Sequence, residues 1–428
     1  MVIVFATSKF WIEKPVIEWD VTLYYSYLPA IFIYDDLKFE NPVEEWEERH
    51  LKQKVVGDGH SLIKMTSGLA MLYSPFFFGA HACATLSNQH PADGFSAPYR
   101  LALLLSALVF MLLGFWFLAH WLQFFFSEKV ATITALLIFC GSNLPYYTLV
   151  EPMSHVYNFA LISMILYWFF KYLKNQHLGF VVCIGIAAGL LVLIRPTNIM
   201  ALLFPALFLI HKWKTLNSKK VIQHIAIAIV LAFIVWLPQF TYWKYITGDW
   251  LVYSYTDEGF FFTDPKIWKG LFGYRKGWFV YSPILWFALP GFAYLFIKQR
   301  KVAAYSIATL LITFWVTFSW WCWWYGGGLG SRPLIEFLPF MALGIAAFLT
   351  ASAKWKNWIR LPVFASIVFM TLWGGFMNKQ YLGNVIHYES MSKELFWKQF
   401  LINRFVEDHN KYLDHPDYDK ALRNEEWD

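Results

Sequence analysis

The sequence predicts an all-α polytopic membrane protein, and three observations carry that prediction. Of 428 residues, 58% are hydrophobic and only 15% are charged, against about 25% charged in an ordinary soluble domain. Apolar stretches close to the length needed to cross a bilayer recur along most of the chain. The connections between them alternate in charge, as positive-inside topology requires. Together these exclude a soluble α/β enzyme, a coiled coil, a disordered chain and a secreted disulfide scaffold. The net charge of +6 reads as orientation signal rather than as a footprint for nucleic acid.

The chain opens MVIVFATSKFW, apolar but short, without a basic leader or a cleavage site. It reads as a clipped first span with the N-terminus inside. Residues 13–64 carry eleven acids and six bases, the reverse of a cytoplasmic signature, so 13–99 is expected as an outward loop. Within it KMTSGLAMLYSPFFFGAHACAT, near 65–87, contains Gly68, Pro75, Gly79 and His81 and is expected to lie in the interface as amphipathic or re-entrant helices. Ten clear apolar segments follow, at roughly 100–126, 131–149, 155–171, 178–194, 197–211, 222–241, 277–297, 303–320, 332–350 and 360–376. The total is about eleven spans in a transmembrane domain over 1–376.

Loops 127–130, 171–177, 212–220, 298–301 and 351–360 hold 13 Lys or Arg and one acid, Glu128, which assigns them to the cytoplasm. The connections at 151–155, 195–198, 242–276 and 321–331 then face outward. The polar tail 377–428 is expected outside as a small helical appendage. Cys83, Cys140, Cys183 and Cys322 lie far apart with no ligand spacing and read as small buried hydrophobes.

Unusual polar residues gather on the outward side. Glu18 and Asp20 lie just beyond the first span, followed by Tyr24, Tyr25 and Tyr27, then Asp35 and Asp36. A carboxylate at a membrane face suits a proton acceptor; loop acids also cap turns, and tyrosines favour the headgroup zone. Arg195 in LIRPTN suits a phosphate ligand or a snorkelling anchor. His155 follows Glu151 by four residues, as a substrate or proton site or as a capping pair. Arg275 and Lys276, in GLFGYRKGWFVYSP, break the rule that outward loops are poor in positive charge and call for an anionic partner, lipid phosphate or carboxylate. WCWWYGGGLGSRP sets three glycines beside tryptophans and Arg332; it suits sugar stacking or an aromatic belt, and is no P-loop because no GK[ST] follows. HExxH, GxSxG, a Rossmann fingerprint and zinc spacing are absent.

EWDVTLYYSYLPAIFIYDDL, KMTSGLAMLYSPFFFGAH, AAGLLVLIRPTN, GLFGYRKGWFVYSP and GGGLGSRP, in that order over residues 11–350, resemble the GT-C type integral membrane glycosyltransferases, near bacterial relatives of protein O-mannosyltransferases and aminoarabinose transferases. The resemblance implies a GT-C-like helix bundle in the bacterial inner membrane. It implies sugar transfer from a polyprenyl-phosphate donor to a lipid, glycan or protein acceptor at the periplasmic face, usually with inversion. The family's outer-loop acid falls on Asp20, with Glu18 beside it. Arg195, Arg275, Lys276, Arg332, His155, Glu151, Tyr24 and Tyr25 are the expected substrate or lipid-phosphate ligands. No cofactor or metal is expected, although Asp35, Asp36, Asp58 and Glu151 compete for the place of a second acid. Two rival readings are a flippase, transporter or polymerase for lipid-linked glycan, and a non-enzymatic membrane assembly protein. The transporter reading calls for polar or broken-helix positions at the midplane and often for inverted repeats, which the sequence does not show.

Overall fold

The computed structural model describes residues 16–40, 54–55, 61–87 and 89–425; the expected first span and Asp58 lie outside the described residues. Among the described residues the regular structure is almost wholly helical. Two short helices, α1 (Trp19–Tyr25) and α2 (Tyr27–Phe32), precede a small antiparallel pair, Lys54–Val55 with Ser61–Leu62. The helices that follow are α3 (Gly68–Ser87), α4 (Ala97–Leu122), α5 (Glu128–Gly141), α6 (Leu144–Leu149), α7 (Ser154–Asn175), α8 (Leu178–Ile194), α9 (Leu203–Lys212) and α10 (Ser218–Thr247). The last set is α11 (Ile267–Phe272), α12 (Trp278–Tyr281), α13 (Ala288–Lys298), α14 (Arg300–Phe318), α15 (Leu338–Ser352), α16 (Asn357–Leu382), α17 (Lys393–Lys398) and α18 (Tyr418–Leu422).

Among the described residues seven helices are long and apolar enough to cross a membrane, with Leu178–Ile194 and Pro283–Lys298 as shorter apolar helices. α7 and the stretch Arg332–Ser352 are buried along most of their length, whereas α10 and α16 expose most of theirs. The exposed side chains are apolar, among them Ile229, Phe233, Leu361 and Leu372. An apolar surface with no protein against it is what a lipid-facing helix presents.

Each of the ten expected apolar segments carries a helix, but several are not the continuous spans expected. Segment 131–149 breaks into α5 and α6 ahead of Pro145. Segment 197–211 begins as a 3-10 turn at Pro196–Leu202, 277–297 is divided by Pro283–Phe287, and 332–350 begins with Arg332–Phe337. Proline supplies no backbone donor and clashes with the preceding turn. All four breaks fall at the same end of the bundle. Irregular backbone at membrane depth persists where it is buried in protein or lines a cavity.

α3 is one of the seven by length and composition, yet its polar and close contacts all fall at that same end. Gly68 packs on Ile194 at the end of α8. The Tyr73 hydroxyl donates to the carbonyl of Pro152 just before α7 (2.5 Å), and His81 meets the Tyr99 hydroxyl in the first turn of α4 (2.6 Å). α3 therefore lies across the bundle end, and α1 packs on it through Tyr25 against Tyr73 and Phe77.

The opposite end carries the basic connections, closed by local caps. Ser127 and Asn217 accept from the amides of Val130 (3.4 Å) and Lys220 (3.1 Å), satisfying first-turn donors. Gln176 ends α7 in the left-handed region at φ 48°. Asn217 and Gln176 meet across this end (3.4 Å), as do Tyr172 and His224 (3.2 Å).

Candidate active site

A cavity of about 330 Å³ opens at the broken-helix end of the bundle. α1 brings Asp20 and Tyr24, the start of α7 brings Ser154 and His155, the end of α8 brings Arg195, and the turn after the glycine loop brings Arg332. Lys64 and Met65 enter from the segment before α3, and Tyr253, Tyr255, Glu258 and Phe260 from the loop after α10. Trp320, Trp321, Cys322 and Tyr325 complete an aromatic wall. That loop is pinned to the wall by a bridge between Phe260 and Trp320, with Phe261 donating to Ser319 (2.6 Å) and Trp321 to Gly259 (3.0 Å).

The charged side chains pair off. The Arg332 guanidinium meets the Asp20 carboxylate at 2.9 Å, and Lys64 meets Glu258 at 2.5 Å. Beneath them lies Glu336, fully buried. Its Oε1 receives His155 Nδ1 at 3.0 Å, Arg195 at 3.4 Å and the Asn158 amide at 3.4 Å. Burial pushes the Tyr24 and Tyr255 phenols up, so both face the cavity as neutral hydroxyls able to donate.

The structure thus brings Asp20, Tyr24, His155, Arg195 and Arg332 to one cavity and places the other expected residues elsewhere. Glu18 stands at the N-cap position of α1, where its backbone carbonyl accepts from the Val21 amide (3.0 Å), and is not among the lining residues. Tyr25 is fully buried and donates to the Gly94 carbonyl (2.5 Å), bracing the peripheral helices. Glu151 accepts from the Tyr146 hydroxyl (2.6 Å), and burial pushes its carboxyl up.

Arg275 and Lys276 do find anionic or polar partners, but these belong to the chain itself. Arg275 meets Asp414 at 2.7 Å and donates to the Glu389 carbonyl at 2.9 Å. Lys276 is buried and donates to the carbonyls of Gly328 and Tyr388, the latter at 2.5 Å. Burial, followed by the nearby Arg332 charge, brings its ammonium down to about 7. These two cations fasten the tail to the glycine loop, as does Tyr418, which donates to Glu389 (2.5 Å) and packs on Trp321 and Trp324. Gly330 in that loop has φ +61°, and a Cβ there would meet Tyr281 at 2.8 Å. Both the backbone conformation and the contact call for glycine.

Glu336 beneath the cavity, and Lys64, Tyr253, Tyr255 and Glu258 in its lining, escaped the sequence reading. Glu336 is a lone acid inside an otherwise apolar run, PLIEFLPF; that is the signal by which intramembrane sites are found, and it was available. Lys64 had no distinguishing neighbour. Glu258 and the two tyrosines before it sit in a long loop whose folding back could not be read locally.

No protein-family model matches the chain, and no curated protein matches it. Among solved structures, that of ArnT from Cupriavidus metallidurans in the apo state shares the fold, with a TM-score of 0.52 and 13% identity over 90% of this chain and 64% of that one. The chain thus spans just under two thirds of the ArnT length. The likeness is one of fold: an all-α polytopic bundle of the GT-C-like kind.

Proposed function

We propose that the protein transfers a sugar from a polyprenyl-phosphate donor to an acceptor at the outer, periplasmic face of a bacterial inner membrane. The observation that carries this reading is the Asp20–Arg332 pair, 2.9 Å apart, in the wall of a cavity that also presents Arg195 and Lys64. Two carboxylates, Asp20 and Glu258, among three cations, walled by aromatic rings and set at one end of an apolar bundle, suit a substrate with an anionic phosphate, a sugar and a lipid tail.

The chemistry follows from these groups. The donor's phosphodiester competes with Asp20 for Arg332, because guanidinium binds phosphate oxygens as it binds carboxylate. Asp20, released, orients the acceptor nucleophile and takes its proton. The nucleophile attacks the anomeric carbon, the carbon–oxygen bond to phosphate breaks, and the electron pair leaves on the carrier phosphate with inversion. Arg195, Arg332 and Lys64 stabilise the charge that develops on the departing phosphate. The sugar's apolar faces pack on Tyr255, Trp320 and Tyr325. Lipid-phosphate attachment places the reacting bond near the headgroups, where the cavity sits if the apolar helices span.

The test is transfer by the purified protein in nanodiscs, with a panel of polyprenyl-phosphate sugars and membrane-extract acceptors. Wild type is expected to consume one donor, and Asp20→Asn to lose about 10²–10⁴-fold in rate, the usual contribution of a positioned base, while remaining monodisperse. Near-normal transfer by Asp20→Asn removes the assignment.

A further inference from the structure

Glu336 is the most deeply placed charge near the cavity, and nothing in the transfer chemistry above uses it. Its side chain has no solvent exposure. A lone carboxylate at such a site costs several kcal/mol unless paired and hydrogen-bonded. A well-packed apolar residue often serves the fold as well as a buried ion pair, and the neighbours Leu334, Ile335, Phe337 and Leu338 are all apolar and buried. Packing alone therefore gives no reason for a glutamate here.

Its contacts supply one. His155 from α7 and Arg195 from the end of α8 converge on the same oxygen, Oε1, and both line the cavity. Arg195 keeps 18% of its side chain exposed and lines the cavity, while its Nη1 meets Glu336. Glu336 also shares the 3-10 turn Arg332–Phe337 with Arg332. One rigid turn therefore carries the cation that faces Asp20 and the anion that holds Arg195.

We propose that Glu336 is a positioning residue: its buried carboxylate fixes Arg195, with His155 beside it, so that two guanidiniums, Arg195 and Arg332, receive the anionic phosphate of the lipid-linked donor together. This rests on the lipid-phosphate reading of the cavity. Without Glu336, Arg195 keeps its charge but loses its fixed direction. Its alternative rest is the Tyr325 ring, already 5.7 Å from the guanidinium.

Four proteins in nanodiscs test the coupling: wild type, Glu336→Gln, Arg195→Gln and the double variant, each titrated with undecaprenyl phosphate. Positioning predicts that Glu336→Gln weakens binding about tenfold, the equivalent of about 1.4 kcal/mol, while the double variant binds no worse than Arg195→Gln alone. The kcat/KM for the donor falls by at least the same factor, because Arg195 holds the phosphate both before and as it departs. Equal losses from Glu336→Gln in both backgrounds, or wild-type affinity in Glu336→Gln, overturn the proposal, since a merely structural role gives additive effects. If Glu336→Gln does not fold, Glu336→Asp in the same two backgrounds is read the same way. A wild type that neither binds the carrier nor transfers from a lipid-linked donor sinks the functional reading and this proposal with it. A wild type that does both, with Glu336 uncoupled from Arg195, sinks the positioning role alone.

Discussion

Arg332 holds Asp20 at 2.9 Å in the cavity wall, so the carboxylate stays engaged until another anion takes the guanidinium. Arg332→Gln removes both the tie and the phosphate ligand. The expected result is a fall of at least about tenfold in kcat/KM, larger with the lipid-linked donor at low concentration, because a hydrogen bond to a charged group contributes about 1.5–3 kcal/mol; unchanged donor kinetics exclude a phosphate role. Lys276 allows a second test, of stability. Its folded value of about 7 lies below the ordinary 10.5, so between those values the unfolded chain holds a proton that the folded chain does not. Stability then rises with pH from about 7 and levels off near 10.5. Melting curves in detergent are expected to show wild type gaining on Lys276→Met between pH 7 and pH 9; parallel profiles contradict the buried, depressed lysine. Residue by residue, the sequence was a partial guide. Asp20, Arg195 and Arg332 are legible because each stands at a helix end beside proline or aromatic residues. Lys276 looked like a ligand and is a tether, since only the fold brings Tyr388, 112 residues away, against it.

Helix against helix, the bundle is built on close approaches that side chains larger than hydrogen would prevent. A Cβ on Gly291 of α13 would lie 1.8 Å from the carbonyl oxygen of Gly344 in α15, and one on Gly344 would lie 2.6 Å from that of Ala288. In lipid, where no hydrophobic force separates helix from tail, such small-residue contacts are a main source of association. Gly291→Leu is therefore expected to abolish recovery of monodisperse protein, read by size-exclusion of detergent extracts, while Gly79→Leu, where nothing lies within 4 Å, leaves it unchanged. Normal recovery of Gly291→Leu would show that α13 and α15 do not pack this way. The apolar segments were readable from length and hydropathy. The breaks at Pro145, Pro196, Pro283 and Pro333 were readable only as prolines. That all four fall at one bundle end, and that those at Pro196 and Arg332 line the cavity, follows from the alternation of helix direction and from tertiary contacts with no local signature.

Taken whole, the molecule separates its charges by end. The basic connections near 129, 174, 214, 300 and 356 close one end of the bundle, and Asp20, Arg195 and Arg332 stand at the other. That separation follows from an odd count of crossings between any member of one group and any member of the other, and it is the physical basis for proposing that the cavity faces outward: Lys and Arg in short loops are retained on the cytoplasmic side. The arrangement makes a prediction independent of catalysis. In a variant lacking its four cysteines, a single cysteine at Asp257, exposed at the cavity end, is expected to react with a membrane-impermeant maleimide in spheroplasts. One at Lys214, exposed at the basic end, is expected to react only after permeabilisation. Labelling in the reverse order would put the cavity on the cytoplasmic side, where soluble nucleotide sugars are available as donors. The case for a lipid-phosphate donor would then lose its topological support even if Asp20 proved essential.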